Sequence, residues 1–360
     1  TDNIALMGSP GSDAYTHAYA GSSSHGVDFL TGLQAAVGAA TNGDNVSASV
    51  TYTQGCYSNQ TLPTDPTFSK AVAAAKAADV VIVALGLTAH VMDEHGVGHE
   101  EEMVDRVSLN LPAVQTQLLE AVAAVGKPTI LVIVAGSAVP FNESLADAAL
   151  MAYYGGEEAG NGLADIVFGS VNPSARLPVT VFQDLSQVRP MGDYDMTTAP
   201  GRTHLYFDPT TVSAASELQR PQFWFGYGLS YTTFDFSDLT VTADPVGCKL
   251  TATVKVTNTG PVPGSEIVQL YLSRPPVKGS SVTPQAQWAL RAFSKEELPV
   301  HASQSVTFEL DATALSSVLA DGSRAVGNGV FNVSVGPGTP KDHRAPTAHV
   351  HSSVTLNCGR

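Results

Sequence analysis

Along the first half of the chain, short and continuously apolar runs alternate with alanine-rich stretches of helical period. NIALMG (3–8) reads as a buried strand that ends in a Gly-Ser-Pro-Gly turn. FSKAVAAAKAA (68–78) predicts a helix, and DVVIVALG (79–86) a strand buried on both faces. PAVQTQLLEAVAAV (112–125) opens with proline at a first helical position and stops before Gly126-Lys127-Pro128, so it predicts a second helix. TILVIVAG (129–136) is another buried strand, followed by a short strand over 148–155 and a helix over GNGLADIVFG (160–169). Strands that are apolar throughout, each followed by a helix, imply an α/β sandwich: a mostly parallel sheet with helices on both faces. Ligands of such sheets bind at the loops that follow the carboxyl ends of the strands.

From about residue 232 the period changes from helical to two. CKLTATVKVTNTG, GSEIVQLYLS, SQSVTFEL, GVFNVSVG and SSVTLNC alternate apolar and polar positions and are separated by Gly, Pro, Asn and Ser turns. This predicts an all-β sandwich of immunoglobulin or fibronectin III-like size. The expected organisation is an α/β domain over 1–189, an ordered connector over 190–231 and a β-sandwich over 232–360. The connector is expected to be ordered because a flexible linker would not carry Trp224, Phe225 and Tyr227.

Composition narrows the function. The formal charge of −15 excludes a nucleic-acid partner that needs a basic face, and no apolar run reaches the roughly 18 residues of a membrane span. Acidity with few lysines suits an extracellular protein. The glycine loop after NIALMG matches neither G-x-G-x-x-G nor G-x-x-x-x-G-K-S/T, so no nucleotide cofactor is expected there. The chain starts at Thr1, which raises the expectation of a processed product or a piece of a larger protein. Asn45, Asn59, Asn142 and Asn332 head Asn-x-Ser/Thr sequons and fit a secretory route. The three cysteines have no metal-type spacing. In an oxidising compartment Cys248, on an early strand of the sandwich, could pair with Cys358 on the last, leaving Cys56 for a partner elsewhere.

The densest chemistry is DEHGVGHEEEMVDR (93–106), directly after the strand DVVIVALG and so on the ligand-binding edge of the sheet. Three readings stand for it. It is a solvated acidic loop, as many surface loops are. It is a metal site built on His95 and His99, although Gly96 and Gly98 between them disfavour the rigid helix that spacing would need. Or it carries an acid catalyst: Glu102 lies among Glu100, Glu101 and Asp105, and crowding by like charges raises a carboxyl pKa toward neutral.

Several segments together resemble glycoside hydrolase family 3. EEEMVDRVSLNLPAVQTQLLEAV is similar to that family's acidic-loop motif, a glutamate three residues before an Asp-Arg pair and then a leucine-proline helix start. YYGGEEAGNGLADIVFGSVNPSARLPVTV and FWFGYGLSYTTFDFS (223–237) resemble its helix, Arg-Leu-Pro and Phe-Gly-x-Gly-Leu-Ser-Tyr segments, and GSEIVQLYLS with RAFSKEEL its fibronectin type III-like domain. The resemblance runs from Thr1 to about residue 357. It implies the second and third domains of the family's usual order, without the (β/α)8 barrel that carries the nucleophilic aspartate. By the same resemblance Glu102 is the catalytic acid/base, with Glu100, Asp105 and Arg106 supporting the loop. Met103 departs from the small residue common after the acid. Glu100-x-Glu102 and GRTHLYF (201–207) are similar to the β-xylosidase and plant-like branch, which also contains α-L-arabinofuranosidases; a β-glucosidase is the other substrate alternative.

The expectation is therefore a hydrolase of terminal β-linked sugars, needing no metal or cofactor and acting outside the cell or in a vacuolar lumen. Its expected partners are an oligo- or polysaccharide-derived substrate and a companion barrel chain, bridged through Cys56. The competing expectation is a non-catalytic structural or carbohydrate-binding protein that retains the two domains.

Overall fold

Side chains alternate across a strand, so an apolar strand buried on both faces supplies two cores at once. The computed structural model describes residues 3–8, 25–41, 48–56, 65–87, 108–212, 220–279, 286–342, 344 and 348–358. Its contacts divide the chain into two units, Thr1–Val171 and Asn172–Arg360.

In the first unit the elements run β1 (Asn3–Met7), α1 (Phe29–Thr41), β2 (Ser49–Thr53), α2 (Pro66–Ala77), β3 (Val80–Gly86), α3 (Ala113–Ala123), β4 (Thr129–Val134), β5 (Ala148–Met151) and α4 (Ala159–Val167). The strands form one parallel sheet in the order β2-β1-β3-β4-β5. Ile4, Leu6, Ile82, Ala84, Val132 and Val134 face α1 and α4, packing with Phe29, Leu33 and Leu163. Their neighbours Ala5, Met7, Val81, Val83, Leu131 and Ile133 face α2 and α3, packing with Phe68, Ala71, Leu118 and Val122. Each large side chain so buried stabilises the fold by about 1.5–3 kcal/mol relative to exposure. Asp65 caps α2 by accepting from Thr67 N–H at 2.8 Å, and Pro66 follows at a position where its missing N–H costs nothing.

The predicted α/β sandwich is present, with two additions and one shortening. No element is predicted across 29–53, yet α1 and β2 lie there. Gly32 and Gly38 weaken the local helix signal of α1. Tertiary packing accounts for Gly32, where a Cβ would come within 2.2 Å of the Gly160 backbone of α4. The strand expected over 148–155 stops at Met151, because Tyr153 turns left-handed at φ 52°.

The second unit contains α5 (Thr203–Tyr206), β6 (Phe234–Asp244), β7 (Lys249–Asn258), β8 (Gly264–Ser273), β9 (Ala289–Leu298), β10 (Ser303–Leu310), α6 (Ala312–Leu315), β11 (Ser316–Val318), β12 (Arg324–Val326), β13 (Gly329–Gly336) and β14 (Val350–Leu356). Antiparallel sheets β10-β7-β6 and β14-β13-β8-β9 enclose a core of inward-facing Leu250, Val254, Val256, Val268, Leu270, Phe331 and Val333, the arrangement of a fibronectin III-like sandwich. Cys248 and Cys358 form the expected disulfide, joining chain positions 110 residues apart.

Residues 172–231, most of which the sequence assigns to a connector, belong to this unit. Asn172 accepts from Ser230 Oγ and Tyr231 N–H, both at 2.8 Å, and donates to Pro263 O at 3.0 Å. Trp224 and Phe207 are buried against Phe182. Arg176 donates to Glu266 at 2.6 Å, with both side chains nearly inaccessible.

Candidate functional site

β3 outruns β1. The last residue pair between them is Met7 with Val83, while β3 continues to Gly86 against β4. Backbone polar groups alternate sides along a strand. Val81 and Leu87 N–H groups donate to Pro128 O and Val134 O at 2.9 Å, so residues in that register serve β4. The groups of Gly86 point to the other side, where β1 has ended.

Gln115 of α3 takes the place of the missing strand. Gly86 N–H donates to its Oε1 at 2.8 Å and its Nε2 donates to Gly86 O at 2.8 Å, with Gln115 fully buried. The Tyr154 hydroxyl donates to Leu87 O at 3.1 Å. The exit from β1 is tied in the same manner: the Tyr52 hydroxyl donates to Gly8 O at 3.0 Å, and Gly8 N–H to Gln54 O at 3.0 Å. Gly8 has φ +118°, and a Cβ there would fall 1.7 Å from Ala84 O, so only glycine fits.

In the order β2-β1-β3-β4-β5 the connections reverse between β1 and β3, and a crevice opens outside the carboxyl ends of these two strands. Two chain segments leave the sheet there, one after Gly8 and one after Leu87. The second returns through Leu109 and Asn110 to Leu111, which is buried, and Pro112, where α3 begins. Gln115 thus ties the departure of this segment to the helix into which it returns. Glu100, Glu102, Asp105 and Arg106, like His95 and His99, lie between these fixed ends and outside the described residues.

Tyr153 stands at the same edge of the sheet, after β5. Its backbone is left-handed, its hydroxyl is buried without a hydrogen-bond partner among the described residues, and burial raises its pKa.

Sequence reasoning did not single out Gln115, Tyr153 or Tyr154. A trace of Gln115 is visible in hindsight as a polar residue on the apolar face of α3, between Val114 and Leu118. Nothing in the sequence distinguishes the two tyrosines.

Of the other expected positions, Asn142 is exposed and caps a single 3-10 turn by accepting from Ser144 N–H at 3.1 Å. Asn332 is exposed on β13, whereas Asn45 and Asn59 lie outside the described residues. Cys56 is fully buried in the core between the sheet and α2–α3, and burial pushes its thiol up to about 12. A neutral thiol packed among apolar side chains is a poor nucleophile.

A doubly wound α/β unit followed by a fibronectin III-like sandwich defines a class of two-domain proteins. Residues 1–231 match the glycosyl hydrolase family 3 C-terminal domain, and residues 266–339 match the fibronectin type III-like domain. The chain belongs to glycosyl hydrolase family 3. It is 34% identical over 278 residues to a periplasmic beta-glucosidase of Salmonella typhimurium, covering 74% of this chain and 34% of that protein. It is 30% identical over 334 residues to a beta-xylosidase of Formosa agariphila, covering 90% of this chain and 41% of that protein. Among solved structures, a beta-glucosidase from Erythrobacter marinus superposes with a TM-score of 0.79 at 27% identity, over 99% of this chain and 46% of that one. The chain therefore spans less than half the length of these relatives.

Proposed function

We propose that this chain is the part of a secreted, retaining exo-β-glycosidase that supplies the proton-transfer group, Glu102, for hydrolysis of terminal β-linked sugars. The observation that carries the reading is the place of its segment: it leaves β3 at the switch point of a family 3 C-terminal domain, from an exit braced by Gln115 and Tyr154. The nucleophile is an aspartate of a (β/α)8 barrel outside residues 1–360, carried in this reading on a companion chain.

In the first step the barrel aspartate attacks the anomeric carbon while Glu102 gives its proton to the leaving oxygen, which departs as the alcohol. In the second, Glu102, now a carboxylate, takes a proton from water as that water attacks the same carbon and displaces the aspartate. The substrate reading is β-xylosidase-like, from the Gly201-Arg202-Thr203 segment and the Formosa agariphila relative. The relatives named beta-glucosidase support β-glucosides as the alternative, and an α-L-arabinofuranoside is a third. Export is supported by the periplasmic relative and by the Cys248–Cys358 disulfide, a bond that persists in oxidising compartments.

The test is Glu102→Gln in the complete enzyme, this chain together with the barrel. Loss of a general acid should cut kcat/KM on an alkyl β-xyloside by about 10²–10⁴-fold. An aryl xyloside with a good leaving group should lose far less, and added azide should restore its turnover as the glycosyl azide. Equal losses on both substrates would assign Glu102 a structural role, and undiminished activity would leave the non-catalytic, carbohydrate-binding reading standing. Comparison of aryl β-xyloside, β-glucoside and α-L-arabinofuranoside on the unaltered enzyme decides the sugar.

A further inference from the structure

Ten arginines serve a chain of net charge −15, and three of them gather at one end of the sandwich. Arg274 follows β8 and donates to the carbonyl oxygen of Ser316. Arg324, on the β12 strand that pairs with β11, donates to the hydroxyl of the same serine at 3.3 Å. Arg291 of β9 faces both: it repels Arg274, and Arg324 repels it in turn. Among the described residues no carboxylate pairs with any of the three. The phenol of Tyr206 interacts electrostatically with Arg274 and Arg291.

Arg291 is aimed by a backbone irregularity. Leu270 pairs with Ala292 and Tyr271 with Leu290, so Arg291 is the extra residue of a β-bulge on the edge strand β9. Bulges re-aim a side chain that regular alternation would send elsewhere. Here the result is a half-buried guanidinium whose Nε is buried without a hydrogen-bond partner among the described residues. Burial first, and repulsion by Arg291 second, lower the pKa of Arg274 to about 10. Like charges brought together in part-buried positions destabilise the fold unless a counter-charge joins them. Guanidinia present forked donors that match the oxygens of a carboxylate, sulfate or phosphate.

We propose that Arg274, Arg291 and Arg324, with the hydroxyl of Tyr206, form a binding site for one oxyanion: the carboxylate of an acidic sugar, or free sulfate or phosphate. The site lies in the second unit and does not depend on the chemistry of Glu102.

The experiment is thermal unfolding of the 360-residue chain with sodium sulfate, sodium phosphate or sodium glucuronate, against sodium chloride at matched ionic strength and glucose as the neutral sugar. The midpoint should rise saturably, by about 3 °C or more, with at least one oxyanion and not with glucose. A gain from glucuronate that exceeds those from sulfate and phosphate assigns the site to acidic sugars; the reverse order assigns it to inorganic anions. Arg291→Gln should remove the saturable gain and leave only the shallow, linear effect that sulfate has on any protein. Without anion, this variant should be at least as stable as the parent, because one repelling charge is gone; a guanidinium with only a packing role would give the opposite. Arg324→Gln, at an exposed position, should weaken the anion roughly tenfold with the fold intact. An unaltered gain in both variants, or no saturable gain in the parent, overturns the proposal.

Discussion

Replacing Gln115 by leucine is the sharpest perturbation of the site's scaffold. The side chain keeps its approximate size and apolar contacts in α3 but loses both hydrogen bonds to Gly86, each 2.8 Å long. Among the described residues no strand covers Gly86 on that side, because β1 ends opposite Val83. Gln115 is fully buried, so water does not replace it without opening the core. An unsatisfied buried donor or acceptor costs about 1–3 kcal/mol, and two are exposed at once, giving a loss of roughly 2–5 kcal/mol. In a unit of this size that corresponds to a fall of about 5–15 °C in the unfolding midpoint. Urea unfolding followed by circular dichroism reads the loss as a lowered midpoint at unchanged slope.

Gln115→Glu separates hydrogen bonding from packing. Its carboxylate accepts from Gly86 N–H but repels Gly86 O, so it should be poor at neutral pH and recover as acid protonates it and restores a donor. A loss below about 0.5 kcal/mol for the leucine variant, or no acid recovery for the glutamate variant, would refute the view that this carboxamide substitutes for a strand.

Two further outcomes rest on the second unit. Arg176→Met leaves Glu266 buried without its partner and should cost about 3–5 kcal/mol at neutral pH. Burial already raises the pKa of Glu266, with Arg176 opposing, so between the unfolded and folded carboxyl pKa values the folded state holds a proton that the unfolded state releases. Its contribution is therefore greatest below the unfolded carboxyl pKa and is lost as pH rises through the folded one; in the variant that window should widen upward, read as a steeper fall of midpoint with pH. Reduction of Cys248–Cys358 should lower the stability of the sandwich by about 4–5 kcal/mol, given the 110 residues it spans, and a Cys358→Ser variant should match the reduced protein in calorimetry.

Much of the fold was legible because burial writes period into sequence. β8, β10 and β13 lie where alternation puts them, at 264–273, 303–310 and 329–336. β3 and β4 follow from runs too apolar to face water on either side. The helix α1 was not legible, since Gly32 and Gly38 argue against helix locally, and the backbone of α4 explains Gly32 alone. The candidate site was legible in its charged residues, whose density in a chain 14% charged draws notice, and not in the neutral groups that brace the exit.

By itself, the sequence determined the architecture of two domains, the family resemblance, the candidate pairing of Cys248 with Cys358 and the position of the acidic segment after an apolar strand. These depend on period, composition and neighbours along the chain. Tertiary structure alone decided that β1 stops short of β3, that Gln115 fills the gap, that Cys56 is sealed in a core and that a bulge turns Arg291 toward two other arginines. Each of these follows from which element ends beside which, and hydrogen bonds and charges answer to distance in space rather than separation in sequence.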